Sequence, residues 1–188
     1  MRTPTAISLF SGCGGMDLGF VQAGFDVLWA NDINGFACKT YAHNIGDHII
    51  HGDITEIDYQ SIPTADIIIG GFPCQDFSML WKRGGVSTDR GNLYKNFVDL
   101  VAQKNPKVFV AENVKGILTA NKKQAIKQII EDFSDTGEIG YNTKAILVNF
   151  ANYGVSQLRE RVLIIGVRKD LDVEFVAPQV LNTSDNYV

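Results

Sequence analysis

A thiol, a carboxyl, two guanidinium groups and a glycine-rich loop are the parts of this sequence whose types and spacing could do chemistry. The thiol is Cys74, in Gly70-Gly71-Phe72-Pro73-Cys74-Gln75-Asp76-Phe77-Ser78, directly after the apolar run 65–70. Pro73 stiffens its approach, and Gly70 and Gly71 let another molecule come close. A thiolate there suits covalent catalysis, whereas Cys13 and Cys38 read as ordinary packing thiols. Glu112 ends the apolar run 108–112, where a carboxyl can exchange a proton with a substrate or merely cap a loop. Arg159 and Arg161 flank Glu160 just before the run 162–167, so both point to one side if a strand starts that early; the plain alternative is edge-strand charge.

The glycine-rich loop is Phe10-Ser11-Gly12-Cys13-Gly14-Gly15-Met16-Asp17-Leu18-Gly19, after the apolar run 6–10 and before a helix-like segment. Glycines there permit a tight turn and close approach of a ligand to backbone N–H groups. A G-x-G-x-x-G dinucleotide fingerprint fails because Asp17 stands where the third glycine belongs, which demotes a nicotinamide cofactor. Asp32, ending the run 27–31, lies close to the ~20-residue offset at which an acid holds ribose hydroxyls. Asp53 could accept from an adenine amino group or simply cap a turn. His43, His48 and His51 match no metal-ligand spacing and are expected to be solvated.

These residues sit at the ends of apolar runs 6–10, 27–31, 65–70, 108–112, 143–149 and 162–167, which alternate with helix-like segments such as 36–43, 93–103 and 122–133. The rhythm predicts an α/β fold with a doubly wound, mostly parallel sheet, whose ligands bind outside the carboxyl ends of the strands. Continuous hydrophobicity in the runs predicts strands covered on both faces. At 188 residues the chain is read as one domain, 1–188. No run approaches the ~18 apolar residues of a membrane span, and no secretory leader is evident, so a cytoplasmic protein is expected. Three cysteines without C-x-x-C spacing fit a reducing compartment. A net charge of −4 requires any nucleic-acid contact to be local, and Lys82, Arg83 and Arg90 with Gly84 and Gly85 make 78–90 a candidate lid over DNA.

Taken in order, these stretches resemble the DNA cytosine-5 methyltransferases, the bacterial modification methylases in particular. Residues 10–15 are similar to the family's first motif, Pro73-Cys74-Gln75 to its nucleophile motif, Glu112-Asn113-Val114 to its Glu-Asn-Val, and Gln157-Leu158-Arg159-Glu160-Arg161 to its Gln-x-Arg-x-Arg. Asp32, Asp53-Ile54 and Arg90-Gly91-Asn92-Leu93 correspond more weakly. The resemblance implies a Rossmann-like S-adenosylmethionine-dependent fold and methyl transfer to carbon 5 of cytosine in double-stranded DNA, within a restriction-modification system. It implies Cys74 as nucleophile, Glu112 at cytosine N3, Arg161 at cytosine O2 and Arg159 as a brace or phosphate contact. Phe10, Ser11, Gly12, Gly14, Gly15, Asp32, Ile33, Asp53, Ile54, Pro73 and Leu93 would surround S-adenosylmethionine, with no metal required. Ile33 replaces the family's adenine-stacking aromatic residue. The family's target-recognition region and final helix have no counterpart in 1–188, so a second polypeptide carrying the recognition region is an expected partner. A transfer-RNA cytosine-5 methyltransferase and a non-catalytic S-adenosylmethionine-binding subunit are the alternatives.

Overall fold

The computed structural model describes residues 2–73 and 93–181. Its sheet has the strand order β3-β2-β1-β4-β5-β7-β6, formed by β1 (Thr5–Leu9), β2 (Asp26–Asp32), β3 (Ile49–His51), β4 (Ile67–Gly70), β5 (Val108–Val114), β6 (Tyr141–Asn149) and β7 (Glu160–Arg168). The first five run parallel, while β7 lies antiparallel between β5 and β6. Helices α1 (Gly15–Gln22), α2 (Gly35–Asn44), α3 (Leu93–Lys104) and α4 (Gln124–Ser134) supply the connections seen among the described residues. The apolar runs thus become strands and the periodic segments helices, with boundaries moved by a few residues. α4 shows why: Ala125, Ile126, Ile129 and Phe133 recur at helical spacing and are the residues it buries.

Because side chains alternate along a strand, each strand feeds two apolar layers. Ile7, Leu9, Ile68, Phe109, Ala111, Val162 and Ile164 share a core with α3 and α4, in which the rings of Phe97, Phe109, Phe133 and Tyr141 contact one another. Phe109 and Phe133 stack with ring centroids 4.2 Å apart, and a Cβ on Gly166 would strike the Phe109 ring. Each such side chain contributes roughly 1.5–3 kcal/mol by leaving water. On the other side Ala6, Val27, Ile67 and Ile69 pack with Met16 and Phe20 of α1.

Expected cover on both faces holds for β1 and β4, whose central residues are fully buried. It fails for the other edge: β5 alternates buried Phe109, Ala111 and Asn113 with half-buried Val110 and Glu112, and Ile146 and Leu163 are half-buried beside them. No described helix covers that half of the α1 face. An apolar side chain reads alike whether a helix lies over it or not, which is why the uncovered face was invisible in the runs.

Candidate active site

The carboxyl ends of β1, β2 and β3 lie side by side and bring the first group of expected residues together. Phe10 and Gly12 take positive φ values of 55° and 56°, turning the chain sharply after β1. Gly12 N–H donates to Asp32 Oδ2 at 2.8 Å and Asn34 N–H to Asp32 Oδ1 at 2.8 Å. Asp32 therefore clasps the glycine loop to the end of β2, and each oxygen retains acceptor capacity for a ribose hydroxyl. A Cβ on Gly12 or Gly15 would meet nothing within 4 Å, so the loop presents open backbone. Such a cradle fits the adenosyl group of a nucleoside cofactor. Asp53 accepts from Thr55 N–H at 3.0 Å and the Thr55 hydroxyl at 2.8 Å, capping a short 3₁₀ turn as its plainer reading proposed. Ile54 is buried, whereas Ile33 is two-thirds exposed at the same edge.

The acid and the second arginine meet. In the β5–β7 register Glu112 lies opposite Leu163 and Val114 opposite Arg161, so Glu112 and Arg161 project from the same face one step apart. Arg161 Nε and Glu112 Oε1 are 2.9 Å apart, with side chains only 20% and 22% exposed. Arg161 Nη1 also donates to the Glu160 carbonyl at 2.8 Å. Arg159 precedes β7 and is tied by its backbone, its N–H donating to Asn149 Oδ1 at 3.2 Å. Asn113, on the opposite face, is buried and donates through Nδ2 to the Phe72 carbonyl at 3.0 Å. The Phe72 ring packs against Tyr94 at 6.1 Å. Asn113 and Tyr94 thus anchor the backbone just before Pro73 and just after Leu93. The expected nucleophile Cys74 and the expected lid 78–90 lie outside the described residues.

A cavity of about 850 Å³ joins these pieces, running from Phe10, Ser11 and Gly15 past Gly71 and Glu112 to Arg159 and the uncovered sheet face. A Cβ on Gly71 would sit 3.1 Å from Glu112 Oε2, so Gly71 is what lets the carboxyl face this space. Its size suits a nucleoside cofactor and a base together.

Beneath the glycine loop is a group that the sequence reading passed over. Asp17 is fully buried and accepts from Ser8 Oγ and from Tyr41 Oη, both at 2.8 Å. Tyr41 Oη also lies 2.9 Å from His48 Nε2, so His48 is a bonded, half-buried ring and not the solvated one expected. Burial pushes the Asp17 carboxyl above its usual range, its hydrogen bonds to Tyr41 and Ser8 working against that shift. Burial, reinforced by neighbouring Asp17, also raises Tyr41 far above its ordinary value. The available signal was a lone acid inside a glycine-rich loop.

An antiparallel β7 between β5 and β6 separates this sheet from all-parallel dinucleotide-binding sheets and places it in the Rossmann-like fold of S-adenosylmethionine-dependent methyltransferases. The sequence pattern of the C-5 cytosine-specific DNA methylases matches residues 5–187. The chain is 58% identical over 178 residues to the type II methyltransferase M.NgoFVII of Neisseria gonorrhoeae, covering 94% of this chain and 47% of that protein. It is 43% identical over 167 residues to M.FnuDI of Fusobacterium nucleatum, covering 89% and 48%. Among solved structures, one described as a DNA modification methyltransferase encoded within an Escherichia coli prophage superposes with a TM-score of 0.76 at 31% identity, covering 92% of this chain and 49% of that one. The chain belongs to the C-5 cytosine-specific DNA methylase family, and it spans about half the length of the curated relatives it matches.

Proposed function

We propose that the protein carrying this chain transfers a methyl group from S-adenosylmethionine to carbon 5 of cytosine in double-stranded DNA, in the cytoplasm and as the modification arm of a restriction-modification system. The observation that carries the reading is the Glu112–Arg161 pair at 2.9 Å, in which Glu112 lines the same cavity as Phe10, Ser11 and Gly15 of the glycine loop and Arg161 stands behind it. Cytosine presents N3 and O2 side by side as acceptors, and a carboxylic acid and a guanidinium placed together match that edge. In duplex DNA the base is unreachable and must be turned out of the stack to enter the cavity.

Within this reading Cys74 adds as thiolate to C6, and the electron pair displaced toward the ring is received as Glu112 gives a proton to N3. Carbon 5 becomes nucleophilic and takes the methyl group; S-adenosylmethionine would supply it from an electrophilic sulfonium, the S–CH3 bond breaking to leave the neutral thioether S-adenosylhomocysteine. Loss of the C5 proton to a base, return of the N3 proton and expulsion of the thiolate restore the aromatic ring. Arg161 holds O2, with Arg159 on the DNA side. Asp32 takes the ribose, Asp53 and Ile54 the adenine end with Ile33, and Phe10, Ser11, Gly12, Gly14, Gly15, Pro73 and Leu93 frame the rest. The target-recognition region is carried by a further segment or a second polypeptide, a reading supported by the open apolar face around Val110, Ile146 and Leu163. Mixing the protein with a duplex pool containing 5-fluorocytosine and S-adenosylmethionine tests this: a denaturant-stable adduct is expected with Cys74 present and not with Cys74→Ala. Absence of any adduct from an intact protein that methylates DNA would sink the covalent route.

A further inference from the structure

Resting on the proposed function, a second layer of the cofactor site can be read beneath the glycine loop. We propose that Asp17 is a positioning residue for S-adenosylmethionine, setting the loop from below through Ser8 and Tyr41, the side chains on which Ser11 and Gly14 rest.

The hydrogen-bond directions run toward Asp17 from both sides. An ionised carboxylate only accepts, so the single protons of Ser8 and Tyr41 are both committed to it at 2.8 Å. The Ser8 oxygen is then left to accept, and it is the nearest acceptor to the Ser11 hydroxyl at 3.0 Å, with the Asn31 and Ser8 carbonyls at 3.2 and 3.3 Å. Ser11 in turn accepts Asn31 N–H at 3.3 Å, and its own N–H reaches the Asn31 carbonyl at 3.0 Å. On the other side the Tyr41 oxygen is left to accept from His48 Nε2 at 2.9 Å. One carboxylate therefore sets the polarity from His48 through Tyr41 to Ser8 and leaves the Ser8 oxygen as an acceptor facing Ser11, inside the loop assigned to the cofactor.

Tyr41 acts on the loop by contact as well. Gly14 has φ 86°, and a Cβ there would lie 2.7 Å from the Tyr41 ring and collide with the Ile45 side chain. The ring is thus the floor under Gly14, and its hydroxyl is pinned by Asp17. Asp17 stands in the first turn of α1, where the helix dipole favours a negative charge. Buried acids are costly and rarely retained without bonding of this kind. The residue that breaks the dinucleotide fingerprint thereby gains an assignment: where a third glycine would have packed helix against strand, this chain uses a carboxylate to lock loop, strand and α2 together.

The test uses the whole protein carrying this chain, with Asp17→Asn and Tyr41→Phe as variants and Ser8→Ala as a third should Asp17→Asn fail to fold. Asparagine keeps the shape but no longer forces both protons inward, and phenylalanine keeps the floor under Gly14 while removing one donor. Calorimetry with S-adenosylhomocysteine should show affinity falling about tenfold for Asp17→Asn and several-fold for Tyr41→Phe, as expected for lost bonds to a charged group. The KM for S-adenosylmethionine should rise in parallel, with little change in the KM for DNA and a smaller change in kcat. A merely structural Asp17 would instead lower the folded fraction, reducing Vmax and leaving the KM for cofactor where it was, and that result would overturn the proposal. Unchanged affinity in the variants, with the parent binding normally, would also overturn it. Failure of the parent to bind either adenosyl compound would overturn the functional reading and this proposal with it.

Discussion

Replacing Glu112 by glutamine separates chemistry from folding, because the structure allows the stability cost to be bounded. Exposed ion pairs contribute about 0–1 kcal/mol, while removing one partner of a fully buried pair costs about 3–5 kcal/mol. Glu112 and Arg161 are about one-fifth exposed, Arg161 keeps the Glu160 carbonyl as a second acceptor, and glutamine can still accept one hydrogen bond. A loss of about 1–2 kcal/mol follows from that intermediate burial. A domain of ordinary stability, about 5 kcal/mol at the low end, then keeps about 3 kcal/mol and remains more than ~99% folded. Glutamine cannot give a proton to cytosine N3, and general-acid steps supply about 10²–10⁴ in rate. The expected result is therefore a small shift in the denaturant midpoint with a loss of at least ~100-fold in the single-turnover rate, measured with labelled S-adenosylmethionine and cognate duplex. A variant that melts normally and turns over within about threefold of the parent would remove Glu112 from the proton-transfer role. A variant whose activity loss tracks its unfolded fraction would show that the pair only holds β5 to β7.

Asp32→Asn should weaken S-adenosylhomocysteine binding by about tenfold in calorimetry, since the clasp on Gly12 N–H and the ribose acceptor are weakened together. Unchanged affinity would move the ribose elsewhere. Cys13→Ala and Cys38→Ala should each retain methyl transfer while Cys74→Ala loses it; Cys38 is buried, and that burial, with Asp32 nearby, raises its thiol above the usual range, so alkylation of Cys38 at neutral pH should be slow. Loss of activity on replacing either of the first two would redirect the search for the nucleophile. Asp66 is held well below the usual carboxylate range by its hydrogen bond from Lys107 and then by the Thr5 N–H, with Arg2 beside it. A depressed acid contributes fully above its unfolded value, near 3.9, begins to lose that contribution below it, and has lost it only once pH has fallen through the folded value. Asp66→Asn should cost about 1 kcal/mol at pH 7, both basic partners being more than half exposed, and the gap to the parent should be constant above about pH 5 and narrow progressively as pH falls below about 4 in denaturant melts. A gap independent of pH would mean that Asp66 acts through shape alone.

How much of this was legible in the sequence depends on the range of the interaction. Strands announced themselves as apolar runs because β1, β4 and much of β7 are buried through most of their length. The meeting of Glu112 with Arg161 could be named only through motifs, because it is set by the β5–β7 register and no local pattern encodes a register. Asn113 read as a mere neighbour of Glu112, since its role is a bond to the distant Phe72 carbonyl. Asp17 looked like a defect in a glycine pattern because its partners, Ser8 and Tyr41, come from a strand and from α2, with His48 bonded to Tyr41 from the loop beyond. Asp53 went the other way: its bonds to Thr55 are local, and the local reading as a cap describes them.

The position of β7 also has a bearing on how the protein is made. On a ribosome the chain emerges from its N-terminus, so β1 to β5 can assemble in order while the far edge of β5 waits for a strand that comes after β6. Until residues 160–168 leave the exit tunnel, the edge of β5 that β7 will cover shows an unpaired row of N–H and C=O groups, and β6 lacks the one strand it pairs with among the described residues. Insertion of β7 closes both gaps at once and in the same event brings Arg161 to Glu112. Nascent chains arrested before that strand would therefore be sticky and chemically inert, and those arrested after it would hold the acid–guanidinium pair, so synthesis itself orders the appearance of the proposed chemistry.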